Sequence, residues 1–314
     1  MRIMARRWRW RLLGLLLAAW LPLASADDTV GTLGAIGSDT LAGLMLRWGE
    51  QLTERHPGVR LQLQASGSAS APPALIAGTT RLGPMSRPMT DDERRRFIER
   101  HGYPPTEIKI ARDALAVVVH RHNPLASLSL ATVDAIFSDT RRCGGERDIT
   151  HWHQLGIEQP AGRIELQGRN AASGTHGLFR RRALCDGYFR VRIDEHPGSA
   201  AVVEAVASSW SAMGYAGLNH LTPGVRALAL SDDESHAVAP HPAQVRSGEY
   251  PLARTLFLYA NLPPGETLPG PERALLEQIL SAEGQATVAE LGFVTLPEAT
   301  LAIQRRELGL EGRE

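Results

Sequence analysis

The chain has 314 residues, 34 Lys and Arg against 34 Asp and Glu, two cysteines and 43% hydrophobic residues. That length suits two lobes with cores of their own. Residues 1–26 carry five arginines and no acids, so the remainder holds 29 basic against 34 acidic side chains, a net charge of −5. The dispersed arginines exclude the clustered positive charge on which nonspecific nucleic-acid binding draws.

In chain order, arginines at 2, 6, 7, 9 and 11 precede an apolar run over 12–20 and the small-residue triplet Ala24-Ser25-Ala26. This reads as a signal peptide over residues 1–26, cleaved to leave a mature chain starting near Asp27. The run is short for a bilayer, no later segment is long and apolar enough to cross one, and no cysteine stands at the cleavage site to take a lipid. Arg6-Arg7 suggests twin-arginine export, though the surrounding residues fit that signal poorly.

Next, Ser38-Asp39-Thr40 follows the small-residue run 31–37 and precedes Leu41, Leu44, Met45, Trp48 and Leu52, the spacing of a helix over 41–55. The alternation of Val59, Leu61 and Leu63 predicts a strand over 60–64, followed by Ser66-Gly67-Ser68-Ala69-Ser70 and a short helical run through Leu75 and Ile76. Arg94-Arg95-Arg96 after Asp91-Asp92-Glu93 reads as a solvated helix face. Strands are predicted over 108–110, 114–120, 164–167, 225–230 and 255–259, and helices over 175–184, 200–210 and 271–291. Val202, Val203, Val206 and Trp210 share one face, and Leu275, Leu276, Ile279, Leu280 and Leu291 point to a core. The alternation is that of an α/β protein.

Arg169-Asn170-Ala171-Ala172-Ser173-Gly174-Thr175 follows the segment Ile164-Glu165-Leu166 and opens an amphipathic helix. Hydroxyls, a glycine that admits close backbone approach, unpaired helix-start N–H groups and a guanidinium make an anion cradle. Alone, each of the three hydroxyl-rich junctions reads as an ordinary capped helix. Three together with an arginine favour a shared oxyanion site.

Gly37-Ser38-Asp39-Thr40, Ser66-Gly67-Ser68, Gly83-Pro84-Met85-Ser86-Arg87-Pro88 and Arg169 through Thr175 resemble the four ligand segments of the periplasmic phosphate-binding proteins that serve ABC transporters. Further matches run in the same order through Met213-Gly214-Tyr215-Ala216-Gly217, Tyr250-Pro251-Leu252-Ala253-Arg254, Leu256-Phe257-Leu258-Tyr259-Ala260-Asn261, Glu283-Gly284-Gln285-Ala286 and Gly292-Phe293-Val294. The Tyr-Pro-Leu and Glu-Gly-Gln pieces read as family marks without ligand chemistry. The resemblance implies a type II periplasmic-binding-protein fold, two α/β lobes joined by two crossing strands with a ligand cleft between them. The crossings are expected at 114–120 and 255–259, lobe I over 27–113 and 254–314, and lobe II over 114–253. It implies a monomer that captures inorganic phosphate, or another tetrahedral oxyanion, and delivers it to an ABC-transporter permease from the periplasm or outside the cell.

Burying a dianion demands a donor for nearly every oxygen lone pair. The implied shell is the backbone N–H of Thr40 and Leu41, with Ser68, Ser86, Arg169, Ser173, the N–H of Gly174, and Thr175. Arg169 is its one charged donor. Helix starts from both lobes would meet on the ligand and favour closure about the crossing strands. Two positions depart from many relatives: Ser86 stands where an aspartate often accepts the proton of hydrogen phosphate, and Ala171 where an aspartate often pairs with the arginine. With Asp39 placed at the helix start facing solvent, the native chain would separate phosphate from sulfate less sharply than a Ser86→Asp variant.

Cys143 and Cys185, in an exported chain, suggest one disulfide that stiffens the lobe holding Arg169, or else two buried thiols. The pairs His120/His122 and His151/His153 lack a third ligand at metal spacing. No cofactor or metal is implied. A secreted serine hydrolase using Ser173 and His176 is the reading from another class, but Ala171 breaks the Gly-x-Ser-x-Gly elbow and His176 is too close in sequence to serve as base. A secreted oxyanion sensor or scavenger is the remaining alternative.

Overall fold

The structure, a computed structural model, describes residues 30–232 and 236–310; the expected signal peptide lies outside the described residues. Along the chain run β1 (Gly31–Ile36), α1 (Ala42–Arg55), β2 (Val59–Gln64), α2 (Ala71–Ala77), β3 (Leu82–Met85), α3 (Asp91–His101), β4 (Thr106–His120), β5 (Ser127–Ser129), α4 (Leu130–Phe137), β6 (Glu165–Arg169) and α5 (Gly174–Ala183). There follow β7 (Ile193–His196), α6 (Ser199–Ser208), β8 (Ala212–Gly217), β9 (Val225–Ala227), β10 (Ala229–Ser231), α7 (Pro242–Ser247), β11 (Ala253–Ala260), α8 (Gly270–Ile279), α9 (Ala282–Glu290) and α10 (Glu298–Glu307).

Nine of the described strands join in the order β2-β1-β3-β11-β4-β8-β6-β7, with β9 also on β4, and β5 and β10 pair separately. β1 lies parallel to β2 and β3 at one end, and β6 parallel to β7 and β8 at the other. In the middle, β11 is antiparallel to both β3 and β4. Parallel strands need helical crossovers, which bring helix starts to the carboxyl ends of the strands.

The expected strands at 108–110 and 114–120 are one continuous strand. Arg112 and Asp113 interrupt the apolar pattern, yet both stay in the ladder, paired with Thr255 and Arg254 of β11. There the core changes: Ile108, Ile110 and Ala111 pack with α1, α8 and α9, whereas Ala114, Leu115, Val117 and Val119 pack with Phe137, Phe179 and Tyr215. β11 makes the same passage in reverse, from Ala253, packed against the second core, to Leu256 and Leu258 in the first. Two lobes and two crossing strands follow, as the type II fold requires.

Other expectations need correction. Residues 225–230 form two strands on different partners, β9 on β4 and β10 on β5, because the chain leaves one sheet at buried Leu228. The expected helix over 271–291 breaks into α8 and α9, where Ser281 takes an extended conformation and its hydroxyl accepts from Gly284 N–H. A Cβ on Gly284 would lie 1.9 Å from the Gln278 carbonyl oxygen, so only glycine allows this packing. Leu291 follows the end of α9 and is partly exposed, and Trp210, beyond the end of α6, is exposed against the edge of His120 rather than on the Val202/Val203/Val206 face. The triple-arginine run lies on α3, which opens with a capping box between Thr90 and Glu93. Cys143 and Cys185 form a disulfide joining the loop after α4 to the end of α5.

Candidate functional site

Four turns converge where the two cores meet. β1 delivers Ser38-Asp39-Thr40 to the start of α1, β2 delivers Ser68 to the turn before α2, β3 ends at Ser86, and β6 ends at Arg169 before α5. Backbone bonds knit the first three together: Gly37 N donates to the Gln64 carbonyl (3.0 Å), Gly67 N to the Gly37 carbonyl (2.8 Å) and Ser38 N to the Pro84 carbonyl (2.7 Å). The Leu41 side chain is sunk in the first core, which leaves only its backbone at the junction.

Each expected side chain is present at this convergence and buried. Ser86 N donates to Ser68 Oγ at 3.0 Å, and the two hydroxyls lie 3.2 Å apart. Ser173 caps α5, its Oγ accepting from Thr175 N at 3.1 Å. Thr40 and Thr175, from opposite lobes, bring their Oγ1 atoms to 3.4 Å. Gly174 faces Ser68 and Ser86 so closely that a Cβ would lie 2.3 and 2.4 Å from their Oγ atoms. Ala69 N donates across to the Ala172 carbonyl at 3.2 Å.

Arg169 is 1% exposed and held on many sides. Its Nε donates to the His196 carbonyl (3.3 Å), Nη1 to Ser199 Oγ (3.2 Å), and Nη2 to the Pro197 carbonyl (2.8 Å) and Asp39 Oδ2 (2.6 Å). Tyr215 OH accepts from Arg169 N at 3.1 Å, and burial raises its phenol well above the usual range. Asp39 therefore does not face solvent: it crosses the cleft to Arg169 and takes the pairing that Ala171 has no group to make. Asp39 Oδ1 and Ser38 Oγ are buried and hydrogen-bond no protein group, so an acceptor-only oxygen and a free hydroxyl remain among the donors.

A second guanidinium was missed. Arg254 on β11 donates through Nε (2.9 Å) and Nη2 (2.5 Å) to Asp113 Oδ2 on β4, both side chains nearly sealed from solvent. Its Nη1 reaches the Ser86 carbonyl (3.3 Å) and Thr175 Oγ1 (3.1 Å). Arg254 is thus a second cation beside Arg169, neutralised by Asp113, and the Tyr250–Arg254 piece ends next to Ser86 and Thr175. The signal available in the sequence was that Asp113 and Arg254 stand immediately before the two expected crossings, 114–120 and 255–259, with opposite charges.

His176 packs its ring on Phe189 at 4.4 Å, and burial, with Arg180 and Arg169 nearby, lowers its pKa to about 4. Among the described residues no histidine hydrogen-bonds Ser173, whose hydroxyl is engaged as a cap. Burial also lowers His220, against the pull of Asp113 and Asp39. No group of three or more His, Cys, Asp or Glu suited to a metal ion occurs among the described residues. A bed of hydroxyl and N–H donors, the Arg169 guanidinium and one accepting carboxylate suits a small, partly protonated oxyanion.

A family model for the PBP superfamily domain matches residues 24–278. Phosphate-binding protein PstS of Pseudomonas aeruginosa is 43% identical over 288 residues, which cover 91% of this chain and 89% of that protein. Phosphate-binding protein PstS of Staphylococcus epidermidis is 23% identical over 288 residues, 90% of this chain and 84% of that one. Among solved structures, an ABC-type phosphate transport receptor from Vibrio cholerae superposes with a TM-score of 0.66 at 19% identity, covering 84% of this chain and all but 1% of its own.

Proposed function

The chain belongs to the PBP superfamily and, within it, to the periplasmic phosphate-binding proteins, and on that footing we propose that it captures inorganic phosphate between its lobes for delivery to an ABC-transporter permease. The observation that carries this reading is the meeting, across the lobes, of Thr40, Ser68 and Ser86 with Arg169, Ser173, Gly174 and Thr175. The shell is completed by the N–H groups of Thr40, Leu41 and Gly174. Lobe I comprises residues 27–113 and 254–314, and lobe II residues 114–253. The protein works outside the cytoplasm as a monomer, after removal of residues 1–26, and performs no catalysis.

Closure follows from the position of the donors. Neither lobe alone meets all the oxygens of a tetrahedral anion, so the anion binds the lobes-together arrangement better and shifts the protein toward it. Desolvation is offset because the donors are already buried and oriented when the anion arrives. Asp39 Oδ1 supplies an acceptor for the proton of hydrogen phosphate, an oxygen that repels fully ionised sulfate.

Titration of the mature, phosphate-stripped protein by calorimetry tests the reading. Tight binding of phosphate with weak binding of sulfate is expected. A folded protein that takes up no phosphate would overturn it.

A further inference from the structure

We propose that Arg254 is a positioning residue for anion capture, which acts from the crossing strand by fixing the direction of the Thr175 hydroxyl. The inference rests on the phosphate-binding reading above. Arg254 is 2% exposed in its side chain and its partner Asp113 1%, so the pair is a buried ion pair placed where β4 and β11 pass between lobes. Such pairs seldom add net stability over apolar residues, and this one lies among buried apolar neighbours, Ala111, Ala114 and Leu256. Its value lies in what the guanidinium does with the hydrogen atoms left over.

Nε and one N–H of Nη2 donate to Asp113, whose carboxylate also offsets the positive charge. Nη1 donates to Thr175 Oγ1 and to the Ser86 carbonyl, one group from each side of the cleft. A guanidinium only donates, so the Thr175 oxygen must accept. The single hydroxyl proton of Thr175 is then turned away from Arg254 and is left for the cleft, where Thr40 Oγ1, another member of the expected phosphate shell, lies 3.4 Å away and can equally donate to Thr175. A hydroxyl that accepts from a cation is also polarised and donates more strongly. The Nη1 bonds to Ser86 and Thr175 exist together only when the lobes meet. Arg254 therefore orients a donor and rewards closure without touching the anion or adding net charge, in contrast with Arg169.

A double-mutant cycle with calorimetric titration of inorganic phosphate tests this in the mature protein. Arg254→Lys keeps a cation for Asp113 but loses the planar fork, and Thr175→Val removes the hydroxyl with little change of shape. Each single change is expected to weaken phosphate binding about tenfold or more. In the Thr175→Val background, Arg254→Lys is expected to change affinity less than about threefold, because the group it acts through is gone. Thermal melts report folding separately. If Arg254→Lys fails to fold, Arg254→Gln with Asp113→Asn, a neutral amide pair, takes its place in the cycle. Losses that multiply, or a folded Arg254 variant with native affinity, would overturn the positioning role while the function reading stands. A native protein that binds no phosphate would overturn both.

Discussion

Replacing Gly174 with alanine separates binding from folding more cleanly than any other change in the site. Gly174 is the first residue of α5 and has no left-handed backbone requirement, so alanine there suits the helix as well or better. The added Cβ, however, would lie 2.3 Å from Ser68 Oγ, 2.4 Å from Ser86 Oγ and 2.8 Å from Ser68 Cβ, all across the cleft. The Ser68 Cβ contact is not relieved by rotating a hydroxyl, so the facing segments must move apart by about 1 Å to reach ordinary contact distance. Bonds of 3 Å stretched by that amount are no longer hydrogen bonds. If two donors to the anion are lost at about 1.5–3 kcal/mol each, affinity falls about a hundredfold or more. Calorimetry with phosphate reads the affinity, and a thermal melt of the ligand-free protein reads the fold. The expected result is a melting temperature at or above native with binding reduced to that extent. Native affinity in a folded Gly174→Ala protein would refute the claim that this glycine seats the lobes on the ligand.

Arg169→Ala is expected to lower phosphate affinity by about 10-fold to 150-fold, and further where the unpaired Asp39 carboxylate repels the anion, with unchanged affinity in a folded variant removing Arg169 from the site. Because Asp39 reaches the cleft, Asp39→Asn should lose discrimination against sulfate in competition binding at neutral pH, whereas Ser86→Asp should add little to the native discrimination. Equal sulfate exclusion by native and Asp39→Asn proteins would show that the acceptor lies elsewhere. His176, with its folded pKa near 4, binds fewer protons in the native state than in the unfolded state between that value and the ordinary imidazole range. Its contribution is present above about pH 6.5 and is lost as pH falls toward 4, so His176→Phe should flatten the melting temperature against pH over that window, and an unaltered profile would exclude His176 as its source.

Much of the molecule was legible in residue order because the signals were local. The helix of α1 was written in the spacing of Leu41, Leu44, Met45, Trp48 and Leu52, all buried as that spacing requires. The strand-turn-helix chemistry of Ser68 and of Arg169 through Thr175 was equally local, since caps, hydroxyls and glycines act within a few residues. Two cysteines among the described residues had one partner each to find. What tertiary structure alone decided was pairing over long separations. Asp39 reads as a helix-start acid until Arg169, 130 residues later, is placed across from it. Arg254 reads as the end of a Tyr-Pro-Leu mark until Asp113, 141 residues earlier, occupies the neighbouring register of the sheet. Periodicity also missed the break between α8 and α9, because a close approach of Gly284 to the Gln278 carbonyl leaves no trace in apolar spacing. The sequence by itself determined which segments carry the hydroxyl, helix-start N–H and guanidinium groups of the proposed site and in what local geometry. The tertiary structure decided which charges neutralise one another and which remain for the ligand, since charge pairing depends on distances between chain segments that local order does not encode.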